Sequence, residues 1–193
     1  MLEIRMIRHG MTEGNKYGRY IGVTDEPLCE EGKLQLQGLH YSEPEKLFVS
    51  PMKRCRETAE ILFPEKKSEI IYNLSECNFG EFENKNYKEL SGSVSYQKWI
   101  DSNGTLPFPG GESPDEFKKR SIRAFQNVVE ICLSEGVQCA AIVAHGGTIM
   151  SVMEAFAPEK KDYYQWHVKN GRGYCVTLEE EPWNQVFARW KSL

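Results

Sequence analysis

Apolar and polar positions along the chain change period several times, and the changes predict an α/β arrangement. Short apolar runs at residues 2–7, 47–50, 69–72 and 139–144 have strand character, and stretches of helical spacing lie between them. Strands that alternate with helices assemble into a mainly parallel central sheet covered on both faces, so a three-layer α/β/α fold is expected. The clearest helix opens at Ser113, where an N-cap serine, Pro114 at the first helical position and Glu116 at the third form a capping-box signature. Its predicted buried stripe is Phe117, Ala124, Phe125, Val128, Val129, Cys132 and Leu133. Two further helices are expected at residues 52–63, stopped by Pro64, and at 148–156, stopped before Pro158. Residues 174–178 and 186–190 alternate about Pro182-Trp183-Asn184 and predict a closing hairpin that adds antiparallel strands. Between residues 84 and 112 the periodicity gives way to Tyr, Trp, Lys, Ser, Gly and Pro. That is the pattern of a partly helical lid over the sheet edge, inserted in a single domain spanning 1–193.

Composition narrows the class. At 193 residues, 40% hydrophobic and 27% charged, the chain suits one globular domain with a sizeable core. A formal charge of -4, with both signs interspersed, argues against a nucleic-acid partner, which calls for a basic excess or stripe. Glu3, Arg5 and Arg8 interrupt the first residues and no apolar run reaches membrane-spanning length, so no membrane partner and a cytoplasmic location are expected. Cys29, Cys55, Cys77, Cys132, Cys139 and Cys175 contain no Cys-x-x-Cys pair, which fits reduced thiols better than a disulfide framework or a zinc site. A monomer and a homodimer are both compatible with the sequence.

Two strand ends carry the chemistry. The first predicted strand runs into Arg8-His9-Gly10 and the strand at 139–144 into His145-Gly146-Gly147. If these strands are parallel neighbours, both imidazoles emerge at the carboxyl edge of the sheet, where open α/β sheets place their ligand crevice. Thr12, Gly14 and Asn15 then supply a small polar loop able to offer N–H groups to an anion. Ser50-Pro51 leads into another helix start, which places Arg54 in its first turn at the same edge. Arg8, Arg54, His9 and His145 would together form a cationic cup suited to the oxygens of a phosphoryl group. Cleavage of a phosphate ester also needs a proton for the leaving alkoxide. Glu76, with apolar neighbours that raise a carboxyl pKa, is the first candidate, ahead of Glu81 and Glu83; an ion pair holding Arg54 is its structural alternative.

Arg8-His9-Gly10-x-Thr12, Asn15 with Gly22-Val23-Thr24-Asp25-x-Pro27-Leu28, Ser50-Pro51 with Arg54 and Thr58-Ala59, Leu74-x-Glu76 with Gly80, and His145-Gly146-Gly147 follow one another along most of the chain. In that order they resemble the signature motifs of the histidine phosphatase superfamily, the phosphoglycerate mutase-like enzymes. The resemblance implies that His9 takes up the phosphoryl group and that Glu76 protonates the departing alcohol. The same carboxylate would then activate the water that hydrolyses the phosphohistidine. It implies no metal and no other cofactor. Two positions depart from the pattern: Ile21 stands where many relatives have Thr or Ser, and Asn84 where a glycine is common.

Mutases of the superfamily are longer, carry paired arginines in the lid and usually read His-Gly-Asn at the second histidine. The lid here offers Lys85, Lys88 and Lys98 among Tyr87, Tyr96, Trp99 and Phe108, a mixture suited to one phosphate on a partly aromatic or ring-bearing alcohol. A phosphomonoesterase acting on a small phosphorylated metabolite is therefore expected, with Asn15, Gly22, Gly146, Tyr87 and Trp99 as substrate-binding residues. Tyr96-x-x-Trp99, Gly110-Gly111-Glu112-Ser113 and Trp166-His167-Val168 are similar to α-ribazole phosphatases of cobalamin assembly, a likeness shared in part by broad-specificity and sugar-phosphate phosphatases. The alternatives are a cofactor-dependent mutase, a metal site built on His9, His145 and a carboxylate, and a non-catalytic phosphate-binding scaffold. His40 and His167 read as surface or packing residues, Arg56 as a solvated helix residue, and Glu112 as a helix-start carboxylate or a lid contact.

Overall fold

Residues 1–179 and 189–193 are described by a computed structural model. Six strands form one sheet: β1 (Leu2–Arg8), β2 (Lys46–Val49), β3 (Ser68–Ile70), β4 (Cys139–Ala144), β5 (Gly173–Leu178) and β6 (Arg189–Ser192), in the order β3-β2-β4-β1-β5-β6. The first four in that order are mutually parallel, β5 runs antiparallel to β1, and β6 antiparallel to β5. The sheet is mainly parallel with an antiparallel edge, as the sequence predicts. Pro182-Trp183-Asn184 and Val186, on which the expected hairpin turn rests, lie outside the described residues. The third predicted strand stops at Ile70, because Tyr72–Leu74 coils into a 3-10 turn.

Alternation within the strands sends successive side chains to opposite faces and so builds two cores. Leu2, Ile4, Met6, Phe48, Ala140 and Ile142 face one side, where they meet α5 (Pro114–Ser134) and α6 (Gly146–Phe156). Ile7, Leu47, Val49, Ala141 and Val143 face the other, against Cys55, Ala59 and Phe63 of the α3 region (Lys53–Leu62 and its C-cap). A short helix, α1 (Glu13–Lys16), follows β1, and α2 (Glu30–Gln37) lies beside α3. Helix α5 starts at its expected cap, with Ser113 accepting the Glu116 N–H. The Glu116 carboxylate, however, takes the Ser113 hydroxyl (2.9 Å). Six residues of the predicted stripe are buried and Leu133 is half-buried. Helix α6 starts two residues earlier than predicted, directly after His145, and is buried over nearly its whole length. Such a helix carries little amphipathic signal from which to read its start.

Residues 84–112 contain one helix, α4 (Val94–Asp101), and a third apolar cluster in which Trp99 and Phe108 meet Cys77, Phe82, Leu90 and Phe117. Asn84 adopts φ 56°, a left-handed conformation in which a glycine is unstrained and Asn is the best-tolerated alternative. Its side-chain oxygen accepts a hydrogen bond from Arg19 (3.1 Å). This backbone requirement is one that glycine meets without strain and asparagine meets at little cost.

Candidate active site

Parallel register brings the distant motifs level. Arg8 pairs with Ala144 and Val49 with Val143, so His9, Ser50 and His145 leave three adjacent strands at one edge. The His9 N–H donates to the Ala144 carbonyl (2.9 Å) and the Ser50 N–H to that of Val143 (3.0 Å). The two imidazole centroids lie 5.3 Å apart, inclined at 64°. His9 is 4% exposed, and Arg54 and His145 are wholly buried.

Each ring is fixed through one nitrogen. Nδ1 of His9 meets the Gly10 carbonyl at 2.7 Å, and because a carbonyl only accepts, Nδ1 carries the proton and Nε2 keeps its lone pair. Nε2 of His145 lies 2.7 Å from the Ser50 hydroxyl, with Cys55 Sγ at 3.5 Å. Burial, reinforced by the charges of Arg54 and Arg8, holds the pKa of His9 well below 6.5. Burial does the same for His145, helped by Arg54, His9 and Arg8. Both imidazoles are therefore neutral, the state a nucleophile needs.

Both arginines are anchored by their outer nitrogens. Arg54 donates to the carbonyls of Thr24 (2.9 Å), Gly22 (2.9 Å) and Ile21 (3.3 Å); Arg8 donates to the Val168 carbonyl (2.7 Å) and to His167 Nε2 (3.1 Å). The Nε–H of each is buried without a hydrogen-bond partner in the protein. A buried, unpaired donor on a charged group is costly and points to an anionic ligand. Helix α6 adds its N-terminus, which has no side-chain cap, immediately after His145.

Glu76 completes the cup. Burial raises its carboxyl pKa above 4.5, against the lowering effects of the Cys77 N–H (3.0 Å) and the two arginines. Gly147 is needed beside it, since a Cβ there would lie 2.6 Å from Glu76 Oε1 and 2.8 Å from the Phe117 ring. Glu81 is exposed on a 3-10 turn, away from this role. Glu83 is committed elsewhere, accepting hydrogen bonds from the N–H groups of Gly22, Val23, Thr24 and Phe79 and from the Thr24 hydroxyl.

The structure distributes the expected substrate contacts unevenly. Asn15 has its Oδ1 fixed by the Thr12 N–H and by Asn170 Nδ2, which leaves its own amide as the donor. Gly22 gives its N–H to Glu83 and its carbonyl to Arg54, and a Cβ there would lie 1.8 Å from the Cys77 carbonyl; it shapes the site and is not an open donor. Ile21 is turned into packing against Gly14. Gly146 and Trp99 line a cavity of about 830 Å³ above Arg8 and Glu76. Tyr87 does not line it: the residue is 64% exposed and the Lys88 ammonium lies over its ring.

Four contributors are not among the site residues named from the sequence. Ser50 holds His145, and Thr58 Oγ1 accepts the Gly10 N–H (2.9 Å) while donating to the Arg54 carbonyl (2.6 Å). Asn170 donates to the carbonyls of His9 and Gly10, and His167, expected at the surface or in packing, touches Arg8. Ser50 and Thr58 sit inside a recognisable motif, whereas Asn170 and His167 lie about 160 residues from their partners with no local signal. Among the described residues no group of three His, Cys, Asp or Glu side chains is placed to hold a metal ion, and no helix is long and apolar enough to cross a membrane.

Comparison with known proteins agrees with this geometry. The chain is 26% identical over 201 residues to the adenosylcobalamin/alpha-ribazole phosphatase of Escherichia coli, covering 100% of this chain and 95% of that one. The alpha-ribazole phosphatase structure from Shigella flexneri superposes with a TM-score of 0.79 at 23% identity, covering 93% and 92% of the two chains, which speaks to the fold alone. Phosphoglycerate mutase from Thermus thermophilus superposes with a TM-score of 0.70 at 27% identity over 100% and 99%. The model of the histidine phosphatase superfamily (branch 1) matches residues 4–191. The chain belongs to the histidine phosphatase superfamily and is a phosphatase, a phosphoric monoester hydrolase, of that family.

Proposed function

We propose that this phosphatase hydrolyses a small phosphate monoester with a ring-bearing alcohol, α-ribazole 5′-phosphate being the first compound to try, through a phosphohistidine at His9. Nε2 of His9 attacks phosphorus as the bond to the alcohol oxygen breaks, and Glu76 passes its proton to that oxygen. Arg8, Arg54 and the start of α6 stabilise the phosphoryl oxygens in transit. Where Nε2 of His145 accepts the Ser50 hydroxyl, its Nδ1 carries a proton to donate to the same group. In the second half, ionised Glu76 removes a proton from water, which attacks phosphorus and breaks the P–N bond. Inorganic phosphate leaves and His9 returns to its neutral form.

The observation that carries this reading is the pair of buried, unpartnered arginine Nε–H donors beside a neutral imidazole. Arg8, Lys118 and His167 are the basic lining residues of the cavity, and the Lys118 ammonium is bound to Glu154 (2.7 Å). Lys85, Lys88 and Lys98 are absent from that lining, while Tyr20, Phe79, Trp99 and Phe108 belong to it. Such a wall favours a ring over a second phosphate and so hydrolysis over mutase chemistry. In this reading residues 84–112 act as the lid of a single domain.

Turnover of ³²P-labelled substrate should leave an acid-labile, base-stable label on His9. His9→Ala should lose label and lower kcat by at least about a thousandfold. Retained turnover in that variant refutes the mechanism. A panel including α-ribazole 5′-phosphate, 3-phosphoglycerate and sugar phosphates tests the substrate, and isomerisation of 3-phosphoglycerate faster than phosphate release would establish the mutase instead.

A further inference from the structure

The segment that carries Glu76 has little regular structure of its own. It leaves the 3-10 turn Tyr72–Leu74 and reaches Gly80 without joining the sheet, so its carbonyls need partners from elsewhere. One side chain supplies three of them. Arg120, in the second turn of α5, donates through Nη1 to the carbonyls of Asn73 (2.9 Å) and Ser75 (2.8 Å), and through Nη2 to that of Glu76 (3.3 Å). Its Nε and Nη2 also form a two-pronged pair with the Glu112 carboxylate, at 2.9 and 2.8 Å. These contacts use all five N–H donors of the guanidinium. Glu112 in turn receives the Asn78 N–H on Oε2 (3.4 Å) and gives its own N–H to the Asn78 carbonyl (2.8 Å).

We propose that Arg120, oriented by Glu112, is a positioning residue that holds the Glu76 carboxyl against the departing oxygen. The argument rests on Glu76 being the proton donor. The clamp grips the two peptides that flank Glu76, through the carbonyls of Ser75 and Glu76, and the Glu76 carboxyl is oriented by the next N–H along, that of Cys77. Rotation of this short run would move the carboxyl directly. The other end of the clamp lies on the lid's last residues, where Phe108 closes the cavity and its N–H bonds to the Glu112 carbonyl (3.2 Å). Proton donor and lid wall thus share one brace on α5. A lysine at position 120 would keep the charge but lose the planar fork that spans a carboxylate and three carbonyls.

The test uses the dependence of kcat/KM on the leaving group. This constant reports the first phosphoryl transfer alone, because alcohol release is irreversible under initial-rate conditions. An alkyl phosphate needs a proton donor and 4-nitrophenyl phosphate does not. Glu76→Gln, the control, should lower kcat/KM for an alkyl phosphate by about a hundredfold and change that for 4-nitrophenyl phosphate by less than about threefold. Arg120→Met should show the same selectivity at about tenfold for the alkyl ester, and vanadate affinity, which reads the phosphate cup, should stay within about threefold. Arg120→Lys and Glu112→Gln, milder changes that keep the protein folded if Arg120→Met does not, should lie in between. Equal losses for both esters, or no loss for either, in variants whose Glu76→Gln control is selective would overturn the role of Arg120 alone. A Glu76→Gln control without selectivity overturns Glu76 as donor, and the inference with it.

Discussion

At the scale of single residues the site works by setting protonation states through burial. His9 and His145 are kept neutral mainly by desolvation, and the same effect raises Glu76. A nucleophile free of its proton and an acid that retains one can then coexist at the same pH. The sign of the pH dependence follows. In the proposed mechanism Glu76 is protonated for the first transfer, so kcat/KM for an alkyl phosphate should fall on the alkaline side as pH passes through its raised pKa. Glu76→Gln should lack that limb, and an unchanged alkaline limb in this variant would assign it to another group. The convergence of these residues was largely legible in the sequence, since His9, Arg54, Glu76 and His145 each sit in a short motif whose spacing reflects a strand end or helix start. Tyr87 lies outside the cavity lining, because adjacency in sequence to other aromatics says nothing about the direction of a ring. Asn170 went unassigned, and His167, exposed as expected, was not linked to Arg8, because their contacts close across the whole chain.

At the scale of elements, β1, β4 and α3 deliver the cup because strand ends are held level by hydrogen bonds, a rigidity that loops lack. The approach to the lid depends on one unusual backbone conformation, that of Asn84. Asn84→Ala should destabilise the protein by about 1 kcal/mol, the order of cost for a Cβ-bearing residue without Asn's local bonding in a left-handed conformation. Asn84→Gly should be close to neutral. Urea unfolding of the three proteins decides it, and an alanine variant as stable as the parent would show that the bend is not under strain. The periodicity that predicts α5 works because one face of that helix is solvated, whereas β1, β2 and β4 are buried on both faces and show in the sequence as short apolar runs. Helix α6, buried on nearly every side, begins where no such contrast marks it.

At the scale of the molecule, two neutral histidines sealed inside the sheet edge tie stability to pH. Their pKa values are lowered on folding, so the unfolded chain binds more protons, and stability is complete above about pH 6.5 and declines as pH falls below it. Glu76, raised on folding, acts with the opposite sign over part of that range. Replacing His9 by Asn should therefore flatten the loss of stability between pH 6.5 and 5 by up to about 1.4 kcal/mol per pH unit. Parallel pH profiles for the two proteins would place a proton on buried His9. Patterning alone defined the α/β class, the cap of α5 and the order of the motifs, because each is written in residues near one another and governed by local sterics and alternation. Convergence of Arg8 with His167, the five-donor grip of Arg120 on the Glu76 segment and the diversion of Gly22 to Glu83 belong to the folded molecule alone. Such contacts join residues with no fixed spacing, and their partners are chosen by the packing of layers against one another.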